Sequence, residues 1–181
     1  MNTNTNNGIQ IKPLRIDDIS HLKNLFEKTI SEIFERNNIK DKIELEHEIN
    51  DKIDKVFKSV LEEESIARFF VVEKENTIVG IAGFSLINND IRSNIENNEN
   101  AYELGTVYIL PEFQRKGIGS LLINTVLENL KNMGIHEFYL DCGYRTSQPY
   151  WIEKFGKPYI NIENKFGKNQ DYMIWKVKTK I

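Results

Sequence analysis

The sequence predicts an α/β fold (α+β in some schemes) with a mixed central sheet of about six or seven strands and helices on both faces. Three observations carry this. A strand–helix–strand run from Tyr102 to Cys142 has the spacing of a βαβ unit, which makes its two strands parallel neighbours. Two β-rich runs flank a polar Glu75-Asn76 turn and read as an antiparallel hairpin, so the sheet is mixed. The 181 residues, 40% of them hydrophobic, suffice to bury one core, and no linker marks a second domain.

The elements follow in order. Ile9 to Arg15 alternates as a short strand, with Pro13 at an edge or at its end. Asp17, Asp18 or Ser20 can cap a helix whose apolar residues Leu22, Leu25, Phe26, Ile30, Ile33 and Phe34 recur at three and four. A second helix from about Lys40 carries the stripe Ile49, Ile53, Val56, Phe57, Val60 and Leu61, and its many acidic residues read as a solvated face. The hairpin comprises Arg68 to Glu73 and Thr77 to Ile87, and the asparagine-rich stretch from Asn88 to Asn100 reads as a mobile loop. The strand from Tyr102 leads into a helix from Gly117 with Ile118, Leu121, Leu122, Thr125 and Leu130 on one side and Gly134 at its end. Phe138 to Cys142 is a buried strand, Ser147 to Phe155 a short helix ended by Gly156, and Ile160 and Tyr172 to Val177 complete the sheet.

Bulk properties exclude several functions. A net charge of −3 leaves no dominant basic face for nucleic acid. No apolar run reaches the roughly 18 residues of a membrane helix. Residues 1–8 are polar and read as a flexible lead-in without a signal peptide, ahead of one domain over 9–181. His21, His47 and His136 lack ligand spacing, so no metal site is expected. A lone cysteine, Cys142, fits a reducing, cytoplasmic setting and reads as a small buried hydrophobe rather than a nucleophile.

The chemistry concentrates at Gln114-Arg115-Lys116-Gly117-Ile118-Gly119, which joins a strand to a helix. A helix start leaves about four N–H groups unpaired and carries roughly half a positive charge. Glycines there let an anion approach, and Arg115 and Lys116 add charge, so the turn is a candidate phosphate site. It lacks the Lys-Ser/Thr ending of a P-loop and the third glycine of a dinucleotide fingerprint. The residues alone leave a different phosphate ligand, or a purely structural turn.

The element order resembles the GNAT superfamily of acyl-CoA-dependent N-acetyltransferases, and the motifs sharpen the likeness. Gln114, Gly117 and Gly119 fill that family's pyrophosphate-loop pattern of Gln/Arg-x-x-Gly-x-Gly/Ala. Tyr108 to Phe113 looks like the usual approach to the loop, and Trp151-Ile152-Glu153-Lys154-Phe155-Gly156 is similar to the family's aromatic-Tyr-Glu-Lys-Leu-Gly segment. The resemblance implies acetyl-CoA as cosubstrate, bound in the opening of a splayed parallel strand pair. Its pyrophosphate would sit on Gln114, Arg115, Lys116, Gly117, Ile118, Gly119 and Ser120, and its pantetheine arm along Val107, Tyr108 and Ile109. From Ile109 back to Glu103 is about 20 Å at a strand's rise of ~3.3 Å per residue, which brings Glu103 to the thioester end.

The same resemblance implies Glu103 as general base, since an amine acceptor arrives as an ammonium and must lose a proton before it attacks. Ile152 stands where relatives often carry a proton-donating tyrosine, so Tyr150 is the candidate acid and Tyr144 a second. Gly105 permits a bulge or a close approach beside Glu103. The acceptor is a small-molecule amine or a protein amino group, chosen by the first two helices, their junction at Asn37 to Lys40, and the segment Asn164 to Asp171. A catalytically silent CoA-binding module and a protein-interaction domain stand as alternatives, and relatives often pair as homodimers.

Overall fold

The computed structural model describes residues 8–96 and 100–179. Apart from Gly8, the expected lead-in therefore lies outside the described residues. Seven described strands form one sheet: β1 (Ile9–Pro13), β2 (Arg68–Lys74), β3 (Thr77–Leu86), β4 (Tyr102–Ile109), β5 (Glu137–Cys142), β6 (Ile160–Ile162) and β7 (Tyr172–Lys178). Their spatial order is β1-β2-β3-β4-β5-β7-β6. All neighbours are antiparallel except β4 and β5, the pair joined by the βαβ crossover. The helices are α1 (Ile19–Arg36), α2 (Lys42–Leu61), α3 (Asn89–Arg92), α4 (Ile118–Asn132) and α5 (Gln148–Phe155).

Alternation along β3 and β4 assigns the helices to faces. A Cβ built on Gly80 would meet Leu122 of α4, so Gly80 and its partner Ile109 look toward α4. Tyr108, one residue on, packs edge-on against Phe26 of α1 and donates its hydroxyl to Glu48 of α2. Helices α1 and α2 thus cover one face and α4 the other. Phe155 of α5 meets Phe138, and Trp175 donates its indole N–H to the Gly156 carbonyl at the end of α5.

Two expectations about helix faces are corrected. Phe57 and Leu61 of α2 are exposed, and the residues α2 buries are Ile49 and Val56. On α4, Leu121 is exposed and Thr125 spends its hydroxyl on the Leu121 carbonyl; the buried stripe is Ile118, Leu122, Ile123, Val126 and Leu130. In both helices the apolar residues span more than one face, and the sheet covers only one.

Helix α4 ends as its sequence requires. Gly134 takes φ of 74°, and Gly134 and Ile135 donate to the carbonyls of Lys131 and Leu130, a Schellman closure. Of the asparagine-rich stretch expected as a loop, residues 97–99 lie outside the described residues, and its first part forms α3. Asn88 accepts from the Ile91 N–H and caps the short α3, which buries Ile91 beside Tyr139, Tyr172 and Ile174.

Candidate active site

The parallel β4–β5 ladder holds a single register pair, Glu103 with Tyr139. Beyond it the strands separate, so the edge of β4 from Gly105 to Ile109 faces a V-shaped opening whose vertex is Glu103. A bulge decides which way Glu103 points. Ile81 pairs with Tyr108 and Gly83 with Gly105, so Ala82 alone stands against both Thr106 and Val107. In an unbroken strand Glu103 would share the face of Ile109, under α4. The extra residue turns it to the other face, under α2. Thr106 sustains the bulge at φ of 54°, a conformation that costs a β-branched residue on the order of 1–3 kcal/mol.

Glu103 is buried and held by three donors. Lys55 Nζ of α2 lies 2.6 Å from Oε1, the Ser85 hydroxyl donates to the same oxygen at 3.2 Å, and the Asn88 backbone N–H donates to Oε2 at 2.7 Å. Gly105 leaves the space next to the carboxylate open: a Cβ there would stand 3.4 Å from Oε1. Asn88 is a hub that sequence reasoning missed, since its side-chain amide also donates to Asp141 Oδ2 at 3.1 Å. The Tyr172 hydroxyl donates to that same oxygen at 2.7 Å. Burial pushes the Asp141 carboxyl above its usual range, and the nearby Glu103 charge adds to the push, against the downward pull of the Tyr172 and Asn88 hydrogen bonds.

This shift has a measurable consequence. Folded Asp141 keeps its proton to higher pH than the unfolded chain does. Between the ordinary value of 3.8 and its raised folded value, the folded state therefore binds more protons, and stability falls as pH rises. Asp141→Asn should remove that slope in urea unfolding followed from about pH 4 to about pH 8. A slope unchanged by the substitution would show that another group is responsible.

The glycine turn at Gln114 to Gly119 joins β4 to α4. Arg115 and Gly117 both take left-handed backbone, at φ of 57° and 80°, and no side chain caps α4. The first intrahelical bond runs from the Leu121 N–H to the Gly117 carbonyl, so the N–H groups ahead of it open toward any ligand. Arg115, Lys116, Gly117 and Ser120 are exposed, Gly119 is half-buried, and Ile118 anchors the turn in the core. Gln114 does not extend outward. Its amide donates to the Ile109 carbonyl at 3.0 Å and to Glu32 at 3.3 Å, pinning the turn to the end of β4. Lys116 lies over the Phe113 ring.

The two candidate tyrosines differ in their surroundings. The Tyr150 hydroxyl lies 3.9 Å from the Cβ position of Gly119, which places it beside the glycine turn. Burial raises its pKa. Tyr144 packs on Phe34 of α1, and burial holds its hydroxyl protonated throughout the ordinary range. Ile152 is exposed. Burial pushes the Cys142 thiol up to about 12, which keeps it a poor nucleophile at neutral pH.

Two open cavities flank this arrangement. One of about 410 Å³ is bounded by Lys55, Ser85 and Asn88, the three residues that hold Glu103, with Ser59 and Glu62 of the α2 end. The other, about 580 Å³, lies among Arg145, Gln148, Asn164, Asn169 and Asp171. Beside it, Asn37 at the end of α1 exchanges two hydrogen bonds with Thr146. Among the described residues no metal-binding cluster occurs, and no helix is long and apolar enough to cross a membrane.

Solved structures share this fold. PaiA N-acetyltransferase from Thermoplasma acidophilum, solved with coenzyme A, superposes with a TM-score of 0.68 at 19% identity over 93% of this chain and 99% of its own. A variant of the spermidine N-acetyltransferase SpeG from Vibrio cholerae gives 0.61 at 19% identity over 96% and 95%. A ribosomal-protein alanine N-acetyltransferase from Escherichia coli gives 0.63 at 13% identity over 96% and 95%. At these identities the likeness is one of fold. No curated protein sequence matches the chain. The profile of the Acetyltransferase (GNAT) family, however, matches residues 26–156, a span that contains α2, the bulged β4, the glycine turn and α5. With most of its length matched and the splayed strand pair in place, the chain belongs to the GNAT family of acetyltransferases.

Proposed function

We propose that this protein transfers acetyl from acetyl-CoA to a primary amine by direct attack, with Glu103 as the group that takes the amine's proton. The observation that carries this reading is the Lys55 ammonium 2.6 Å from Glu103 Oε1 at the vertex of the opening. It supports the reading because an amine group already sits within hydrogen-bonding distance of that carboxylate, the contact a general base needs. Arg115, Lys116 and the α4 N–H groups would hold the CoA pyrophosphate, and the open β4 edge at Val107, Tyr108 and Ile109 would line the arm. The Ile109 carbonyl already accepts one hydrogen bond from Gln114.

A separate acid is not required, because thiolate is a tolerable leaving group with an unperturbed pKa near ~8.5. In this reading Tyr150 serves the phosphate end beside Gly119, and an acid role for it is the lesser assignment. The acceptor would enter through the 410 Å³ cavity, whose walls include Lys55, Ser85 and Asn88. Its identity is left at a small amine or a protein amino group, the range spanned by the spermidine and ribosomal-protein enzymes that share the fold. The buried, unpaired Cys142 supports a cytoplasmic setting.

A second reading, a silent CoA-binding module, draws on Ile152, which offers no proton at the family's tyrosine position. Incubation with acetyl-CoA and a broad amine panel, following free thiol, separates the two. Thiol release dependent on an amine is expected; CoA binding by calorimetry without any thiol release would favour the silent module.

A further inference from the structure

We propose that Lys55 is itself an acetyl acceptor, so that the protein modifies its own α2 helix when it holds acetyl-CoA and meets no other amine. The inference rests on the reading that Glu103 is the base at the acetyl-donor end of the opening.

Lys55 already satisfies the conditions an acceptor must meet. Its Nζ lies 2.6 Å from Glu103 Oε1, and its side chain is only 32% exposed whereas the Glu103 side chain is 5% exposed. The same oxygen, Oε1, borders the space left by the missing side chain of Gly105 at 3.4 Å. A group lying over the bare sheet face at Gly105 and the Lys55 amine therefore converge on one carboxylate oxygen. Reaction requires a nucleophile and a carbonyl to approach within roughly 3–3.5 Å, and a shared partner oxygen is the arrangement that brings them there. The surrounding contacts fix the carboxylate rather than compete for the amine: Ser85 and the Asn88 N–H hold it from other directions. Lys52, one turn earlier on α2, is engaged instead by Glu48 at 3.1 Å and provides a comparison within the same helix.

The step balances without any further reactant. The Lys55 ammonium gives one proton to Glu103, and the neutral Nζ forms a bond to the thioester carbonyl carbon. The carbon–sulfur bond breaks, and the departing sulfur takes a second proton from the nitrogen as CoA thiol. The third stays on the new amide, and Glu103 returns its proton to solvent. The product has lost the positive charge that paired with Glu103. The carboxylate is then free of its internal partner and open to an external ammonium.

The test is incubation of the full chain with acetyl-CoA alone, followed by intact mass and peptide mapping. The expected result is a gain of about 42 Da, one acetyl per chain, located at Lys55. Its rate constant should not change with protein concentration, as an intramolecular reaction requires. Glu103→Gln should slow the labelling by roughly 100-fold or more, the usual range for loss of a general base. Lys55→Arg keeps a cation beside Glu103 but offers no acceptor, and should gain no acetyl. Labelling of Lys55 no faster than Lys52, or at an equal rate in Glu103→Gln, would overturn the proposal. So would one acetyl per chain on the Lys55→Arg variant. If amines drive thiol release while Lys55 stays unmodified, the self-modification fails and the acyltransferase reading stands. If neither occurs, the acyltransferase reading falls as well.

Discussion

Glu103→Gln is expected to lower kcat/KM by roughly 10²- to 10⁴-fold at neutral pH, with the deficit shrinking as pH approaches the acceptor's own pKa. The substitution preserves shape. The glutamine carbonyl can still accept the Asn88 N–H, so the loop entering α3 keeps its anchor. What it removes is the carboxylate that lies 2.6 Å from the Lys55 amine and that would take the acceptor's proton. At neutral pH nearly all of an ordinary alkylamine is protonated, and the wild-type advantage is largest there. As free amine accumulates at higher pH the base becomes dispensable, so the two pH–rate profiles should converge. If CoA is held at the far end of β4, as proposed, its affinity should stay within about twofold of wild type. Parallel profiles separated by a constant factor at every pH would mean that Glu103 supports the site structurally and takes no proton.

The same residue shows what a sequence can and cannot say. The glycine turn around Gly117 and Gly119 is legible in the sequence because backbone freedom and the N–H groups of a helix start are local properties. The βαβ crossover is equally legible, since the helical period between Ile118 and Leu130 separates two β-rich runs. The direction of Glu103 is not local. Strict alternation from Ile109 puts it under α4, and only the bulge at Thr106 and Val107 returns it to α2. Gly105 hinted at irregularity, but the strained residue is its neighbour Thr106, a type that seldom takes positive φ.

The residues that hold Glu103 are likewise hidden. Lys55, Ser85 and Asn88 lie 48, 18 and 15 positions away, and Asn88 reaches Asp141 across 53. Such contacts leave no periodic trace. Asn88 could have been flagged only as a cap for the few residues after it. Helix amphipathicity fails for a different reason at Phe57, Leu61 and Leu121, where apolar residues outnumber the positions the sheet can cover.

Gly119→Asp should weaken CoA binding by about 100-fold, a loss of about 2.7 kcal/mol, while leaving the fold as stable as wild type or slightly more so. The two halves of this expectation have opposite signs at one atom, which makes the test sharp. Gly119 does not require positive φ, and a Cβ there would meet Ile109 at 3.8 Å and the Tyr150 hydroxyl at 3.9 Å, ordinary contacts that need no rearrangement. A carboxylate in the first turn of α4 interacts favourably with the helix dipole, by about 0.3–1 kcal/mol, and no side chain now caps that end. Its charge and bulk would nonetheless stand where the proposed site places the pyrophosphate. Gly119→Ala separates the two effects, since its methyl adds bulk without charge and should weaken binding by roughly tenfold or less. Thermal melting and calorimetry on the three proteins measure both signs. If Gly119→Asp binds CoA as tightly as wild type, the pyrophosphate does not sit on this turn. If it melts well below wild type, its effect on binding reports damage to α4 rather than the loss of an anion site.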